Sequence, residues 1–195
     1  MASRPDFIIL RHARPDVQPE RPASEWPLAP EGWDAAQRLG ERLRGFGPLR
    51  VVASAERKAI QTGEAIGGAV KVDDRFGEQG RGTVPFLPGD AFHDRVIAHF
   101  RQPEDRILGD EASAEAAARF DAALGDSLAG EDDALPVIVS HGRIVSAWIA
   151  AQATMPGGTQ EAEMIWQGLR MPDAWLVSRT ASGWMAVRID AREER

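Results

Sequence analysis

The chain reads as an α/β fold: a three-layer sandwich with a mostly parallel central sheet, helices on both faces and an antiparallel hairpin near the C-terminus. Three observations predict it. The runs Phe7-Ile8-Ile9-Leu10 and Val137-Ile138-Val139 are continuously apolar and rich in β-branched residues, as in strands buried on both faces of a parallel sheet. Strand-length and helix-length patterns alternate along the chain, the order that α/β folds require. Both apolar runs end on a histidine, in Arg11-His12 and in Ser140-His141-Gly142. This places polar groups at the carboxyl edge of the sheet, where open α/β sheets bind ligands.

Each element follows in order. The first strand, the four apolar residues 7–10 ending on Arg11-His12, leads into residues 13–30, whose five prolines fix φ and remove N–H donors, so an extended loop is expected over the sheet edge. From residue 31, Trp33, Ala36, Leu39, Gly40 and Leu43 recur at helical spacing, with Asp34, Arg38, Glu41, Arg42 and Arg44 opposite. Gly45 and Gly47-Pro48 close that helix. A strand over 49–53, a helix over 56–66 closed by Gly67-Gly68 and a short strand over 70–72 come next. Residues 73–92 carry glycines, prolines and charges and read as a second long loop. Helices are expected over 91–101 and over 113–128, the latter with the Phe120/Leu124 pair at i,i+4. The strand 137–139 precedes a buried helix over 144–151. Residues 175–177 and 184–187 flank Thr180-Ala181-Ser182-Gly183 as a β-hairpin.

With 195 residues the chain can bury one sizeable core, so a single domain over 1–195 is expected. Apolar content of 43% and charged content of 27% match globular averages. A formal net charge of −7 argues against nucleic acid or an anionic membrane as partner, so any anion site must be local. No cysteine is present, which excludes disulfides, thiol catalysis and thiolate metal sites. The four strongly apolar residues near the amino terminus are too few for a signal-peptide core or a membrane span, so a cytoplasmic location is expected. An oligomer is compatible with the sequence.

Arg11, His12, Lys58 and His141 each arrive at or just after a strand end, and together they would form a cationic pocket in an acidic protein. Arginine offers a planar fork of donors and lysine a point charge, both suited to phosphate. At an effective dielectric of about 20, a cation about 4 Å from an anion is worth roughly 4 kcal/mol before desolvation. Two histidines without a third ligand or His-x-x-x-His spacing make a poor zinc site, and Gly-x-Ser-x-Gly is absent. No metal or cofactor is therefore expected. Histidine remains as nucleophile, a neutral imidazole attacking phosphorus while a backbone carbonyl holds its other proton.

These residues resemble the histidine phosphatase superfamily, also called phosphoglycerate-mutase-like. Leu10-Arg11-His12-Ala13 is similar to its Arg-His-Gly hallmark, with alanine in place of glycine, a change that a negative φ tolerates. Pro27-Leu28-Ala29-Pro30-Glu31-Gly32, Ser54-Ala55-Glu56-Arg57-Lys58-Ala59-Ile60-Gln61-Thr62, Arg75-Phe76-Gly77-Glu78 and Ser140-His141-Gly142 resemble further family segments in the right order. The resemblance implies that His12 is the phosphorylated nucleophile, that Arg11 and His141 clamp the phosphoryl oxygens, and that Glu78 serves as general acid and then base. Lys58 falls where the family has an arginine, and Arg57 beside it is the alternative phosphate ligand. The implied activity is metal-independent hydrolysis of a small phosphomonoester through a phosphohistidine. Phosphoglycerate mutase-type transfer, which needs a more closed lid, and a catalytically weakened phospho-ligand binding module are the alternatives.

Other polar residues read more plainly. His93 and His99 lie on a helix without a matching motif and are expected at the surface. Arg81 is a candidate to reach substrate, and Trp26, in the proline-rich loop, is a candidate substrate wall. The remaining tryptophans read as core or cap residues, and Glu111-Ala112-Ser113 as a helix cap.

Overall fold

The two apolar runs lie side by side. Strands β1 (Phe7–Arg11) and β4 (Leu135–Ser140) pair in parallel with Leu10 opposite Val139 and Arg11 opposite Ser140. The chain after β1 stays in register, since the His12 N–H donates to the Ser140 carbonyl at 2.9 Å. His12 and His141 therefore leave neighbouring strands at one level. The structure is a computed structural model that describes residues 4–80, 87, 89–129, 133–158 and 160–189.

The described residues form a seven-stranded sheet. Its other strands are β2 (Leu49–Ala53), β3 (Val70–Val72), β5 (Ala153–Thr154), β6 (Asp173–Thr180) and β7 (Gly183–Arg188). The order is β3-β2-β4-β1-β6-β7-β5. β3, β2, β4 and β1 run parallel, β6 runs antiparallel to β1 and forms the expected hairpin with β7, and β5 is parallel to β7. The helices are α1 (Pro30–Leu43), α2 (Arg57–Ile66), α3 (Gly89–Arg101), α4 (Ser113–Leu128), α5 (Gly142–Gln152) and α6 (Ala162–Gln167).

Alternation along β1 builds the three layers. Ile8 and Leu10 pack with Leu39 and Leu43 of α1 and Ala59 and Ile66 of α2, while Phe7 and Ile9 pack with Phe120 of α4 and Trp148 of α5. Successive strand side chains point to opposite faces, so a strand covered on both sides must be apolar throughout. Each such side chain, fully buried, contributes about 1.5–3 kcal/mol. α1 and α2 approach closely at Gly40, where a Cβ would lie 2.3 Å from the Ile66 carbonyl oxygen.

The structure also differs from the sequence reading. α1 starts one residue earlier, with Pro30 in the first turn, where its missing N–H would be unpaired anyway. α5 starts at Gly142, directly after the histidine. α3 starts at Gly89, inside the stretch read as loop, and β5 and α6 were not anticipated. The proline-rich stretch holds a Pro15–Leu28 bridge and a 3-10 turn at Ala23–Glu25. His99 is a correction: it is 1% exposed, because residues 79 and 80 and the carbonyl end of Glu111 close over its side of α3. Arg81 lies outside the described residues. Among those described, no helix is long and apolar enough to cross a membrane.

Candidate active site

The sheet's carboxyl edge brings His12 and His141 together with ring centroids 5.1 Å apart and planes at 61°. Both are buried, at 6% and 1% exposure. His12 Nδ1 lies 2.8 Å from the Ala13 carbonyl oxygen. A carbonyl can only accept, so Nδ1 carries the proton and Nε2 keeps its lone pair. Burial first, then the charges of His141 and Lys58, hold the His12 pKa well below its ordinary value, so the ring is neutral near pH 7.

The segment Ser54-Ala55-Glu56-Arg57-Lys58-Ala59-Ile60-Gln61-Thr62 builds the support. Thr62 Oγ1 donates to the Lys58 carbonyl at 2.7 Å and accepts the Ala13 N–H at 3.0 Å, which fixes the backbone beside His12. Gln61 Oε1 accepts the Leu28 N–H at 2.7 Å and ties the proline-rich loop to α2. Ser54 Oγ is 2.6 Å from His141 Nε2. No described residue other than glycine has a positive φ, so Ala13 sits without strain where the family hallmark has glycine.

Lys58 is 6% exposed, and its ammonium is held by the Glu56 carboxylate and the Ala23 carbonyl. Its charge reaches both imidazoles. Arg57 is not brought to them: it is exposed and faces a cleft lined by Ser24, Gln61 and Glu64. Arg11 extends toward the segment between α6 and β6, where its Nη1 is 3.4 Å from the Arg170 carbonyl. Gly142 leaves room for it, since a Cβ there would lie 3.1 Å from Arg11 Nε. Arg11 Nε and His141 Nδ1 are buried with no hydrogen-bond partner. Buried polar atoms are ordinarily paired, so two unpaired nitrogens at one edge mark a place for a polar ligand.

Glu78 reaches this edge as well. Its Oε1 accepts the N–H groups of Gln79 and Ile144, each at 3.0 Å, and its Oε2 accepts the Arg143 N–H at 3.2 Å with Arg143 Nε at 3.4 Å. Burial alone would raise its pKa, but the Arg143 and His141 charges and the backbone donors outweigh it and bring the group to about 2. The loop carrying Glu78 is pinned. Ser140 Oγ donates to the Phe76 carbonyl at 2.7 Å, Arg143 Nη1 to Gln79 Oε1 at 3.0 Å, and the Gly80 N–H to Glu111 Oε2 at 2.9 Å. Arg75 only braces this turn, paired with Asp73 and Asp126. Trp26 Nε1 likewise donates to its own loop, to the Gln18 carbonyl at 2.7 Å.

Three site residues escaped the sequence reading of roles. Glu56, quoted within a motif, lies with Oε1 3.4 Å from His141 Nε2 and 3.3 Å from the Glu78 N–H. Ser54 supports His141, and Arg143 clamps Glu78. Arg143 directly follows His141-Gly142, and that adjacency was the available signal. Among the described residues, no cluster of histidine, aspartate and glutamate side chains is arranged to hold a metal ion.

A parallel sheet whose neighbouring strands present an arginine-histidine pair and a second histidine at one edge defines a phosphoryl-handling class of α/β enzyme. The chain matches the histidine phosphatase superfamily (branch 1) over residues 7–164 and belongs to it. Among similar proteins is the probable phosphoglycerate mutase GpmB of Salmonella paratyphi A, 27% identical over 160 residues, covering 76% of this chain and 74% of that protein. The mycobacterial glucosyl-3-phosphoglycerate phosphatase solved with inorganic phosphate is similar at 23% identity and TM-score 0.66, covering 94% of this chain and 95% of that one. A phosphoserine phosphatase from Entamoeba histolytica is similar at 16% identity and TM-score 0.69, covering 92% and 93%. At these identities the structural likeness shows the fold.

Proposed function

We propose that the chain is a metal-independent phosphatase that hydrolyses a small phosphomonoester through a phosphohistidine. One observation carries the reading: the Ala13 carbonyl holds the proton on His12 Nδ1, leaving a neutral, buried Nε2 beside a second imidazole and near two buried nitrogens without a hydrogen-bond partner, Arg11 Nε and His141 Nδ1. The phosphoryl group enters among Arg11, His141 and Lys58. Nε2 of His12 attacks phosphorus as the ester P–O bond breaks, and a carboxylic acid of the site gives its proton to the departing oxygen. Water then attacks the phosphohistidine, the same carboxylate takes a proton from it, the P–N bond breaks and phosphate leaves. Glu78 and Glu56 are carboxylates whose charges reach His141.

A second reading, phosphoglycerate mutase-type transfer, is favoured by the GpmB relatives. One experiment separates the two. The chain is given an aryl phosphate with and without chelator, then a phosphoglycerate with a bisphosphate primer. Hydrolysis that survives chelation and exceeds isomerisation supports the phosphatase. Isomerisation faster than hydrolysis supports the mutase, and no turnover on either substrate contradicts both.

A further inference from the structure

Arg11 and Asp173 stand opposite each other across the antiparallel β1–β6 pair. Ile9 and Trp175, two residues before Arg11 and two after Asp173, belong to the core cluster that contains Trp148 of α5, so by strand alternation Arg11 and Asp173 face that same side. Directly opposed residues of unlike charge ordinarily pair. Asp173, only 4% exposed, instead gives its carboxylate to Arg188 at the end of β7: Arg188 Nε donates to Oδ1 at 2.8 Å and Nη2 donates to Oδ2. The Ala174 N–H at 3.1 Å and the Arg170 N–H at 2.8 Å complete the set. A carboxylate offers about four lone-pair positions, and those of Asp173 are filled.

Arg11 is left with donors to spare. Its Nε is buried with no hydrogen-bond partner, and among the described residues its guanidinium makes one bond, the 3.4 Å contact of Nη1 with the Arg170 carbonyl. Burial lowers the Arg11 pKa while the charges of Glu78 and Asp173 oppose that, so Asp173 supports the cation without occupying its donors. The turn that supplies the Arg170 carbonyl is tied to the same pair, through the Arg170 N–H on Asp173 and through Arg188 Nη2, which donates to the Gly168 carbonyl at 2.6 Å. The planar fork of an arginine fits a carboxylate and a phosphoryl group equally well. Asp173 and a phosphoryl group are thus rivals for Arg11.

We infer that Arg188 is a positioning residue for phosphate binding: it saturates Asp173, so that Arg11 on the neighbouring strand keeps its donors for a phosphoryl group. The inference rests on the phosphatase reading above, which names the ligand. Without Arg188, Asp173 becomes a buried carboxylate with two unfilled positions and an uncompensated charge, which is far more costly than a lost surface pair. Arg11, opposite it and with an unpartnered Nε, answers that demand and is withdrawn from the pocket. Removing the Asp173 charge as well abolishes the rivalry, and Arg11 is released.

The test is a rescue. Inorganic phosphate is titrated calorimetrically into the wild-type chain, Arg188→Met and the double variant Arg188→Met/Asp173→Asn, and KM for an aryl phosphate is measured beside it. Arg188→Met should weaken phosphate binding and raise KM by roughly 10- to 100-fold, the worth of hydrogen bonds to charged groups. The double variant should bind phosphate about tenfold more tightly than the single one, the size of coupling expected between residues in contact. A merely structural role for Arg188 predicts the reverse order, because changing Asp173 as well weakens the bonds that hold the Arg170 turn. Should Arg188→Met fail to fold, Arg188→Lys, which keeps the charge but not the fork, carries the same comparison with and without Asp173→Asn. Phosphate binding unchanged in the single variant, or a double variant that binds no better than the single, would overturn the assignment. A wild-type chain that binds phosphate yet turns over no aryl phosphate would remove the phosphatase reading, while the titration still decides the role of Arg188. A wild-type chain that binds no phosphate would remove both.

Discussion

The Ala13 carbonyl oxygen lies 2.8 Å from His12 Nδ1, and that one contact decides which imidazole nitrogen keeps its lone pair. The backbone making it is held by Thr62 Oγ1, 3.0 Å from the Ala13 N–H. A motif threonine forty-nine residues on thus sets the tautomer of the proposed nucleophile.

Lys58, not Arg57, is expected to bind phosphate. Hydrogen bonds to charged groups contribute about 1.5–3 kcal/mol, so Lys58→Ala should raise KM and weaken inhibition by inorganic phosphate by roughly 10- to 100-fold. Lys58→Arg should restore part of the loss, since it keeps the charge. Arg57→Ala, at an exposed position, should change KM by less than about twofold, within the range of surface substitutions. Steady-state kinetics on the three variants check this, and an equal loss at Arg57 would contradict it.

Gly142→Ala separates activity from stability. The added Cβ would sit 3.1 Å from Arg11 Nε and 3.3 Å from its Cζ, so the guanidinium must shift by a few tenths of an ångström. Alanine is also the better helix former, by about 1 kcal/mol in a helix interior, and Gly142 opens α5. The melting temperature should hold or rise while KM for a phosphomonoester increases. A variant that loses stability but binds phosphate normally would contradict the placement of Arg11.

Stability should fall as the solution is acidified, beginning with histidines. Burial is the largest cause lowering the pKa of His12, His141 and His99, the last to about 4. Their folded values lie below the unfolded value of about 6.5. Below that pH the unfolded chain takes up protons that the native state refuses. Each residue then removes up to about 1.4 kcal/mol per pH unit, until its folded value is passed. Glu78 acts later: its stabilisation is complete above its unfolded value of 4.5 and is lost as pH falls toward about 2. Denaturation midpoints between pH 7 and 4 should decline steadily, and His99→Gln should flatten that slope. A midpoint that rises on acidification would contradict the burial of these rings.

Much of this was legible because the strongest signals are local. Four apolar residues ending on Arg11-His12 declare a buried strand and its exposed edge without reference to the rest of the chain. The hairpin around residues 180–183 and the helices with clear periodicity were equally plain. Glu56 was not, because a carboxylate next to Arg57 and Lys58 at a helix start looks like surface charge. Its partner His141 is eighty-five residues away. His99 carried a signal that was missed: Val96, His99 and Phe100 share one helical face, and all three are buried. Whether a histidine on such a face is covered depended on the arrival of Gln79 and Glu111, which no periodicity encodes.

The central claim is that His12 accepts the phosphoryl group. Mass spectrometry of the chain, quenched during turnover of a phosphomonoester and kept from acid, should find the phosphoryl group on the peptide containing His12, with none formed by His12→Ala and turnover abolished. A phosphoryl group found instead on His141 or Ser54, or turnover that persists in His12→Ala, would contradict the account.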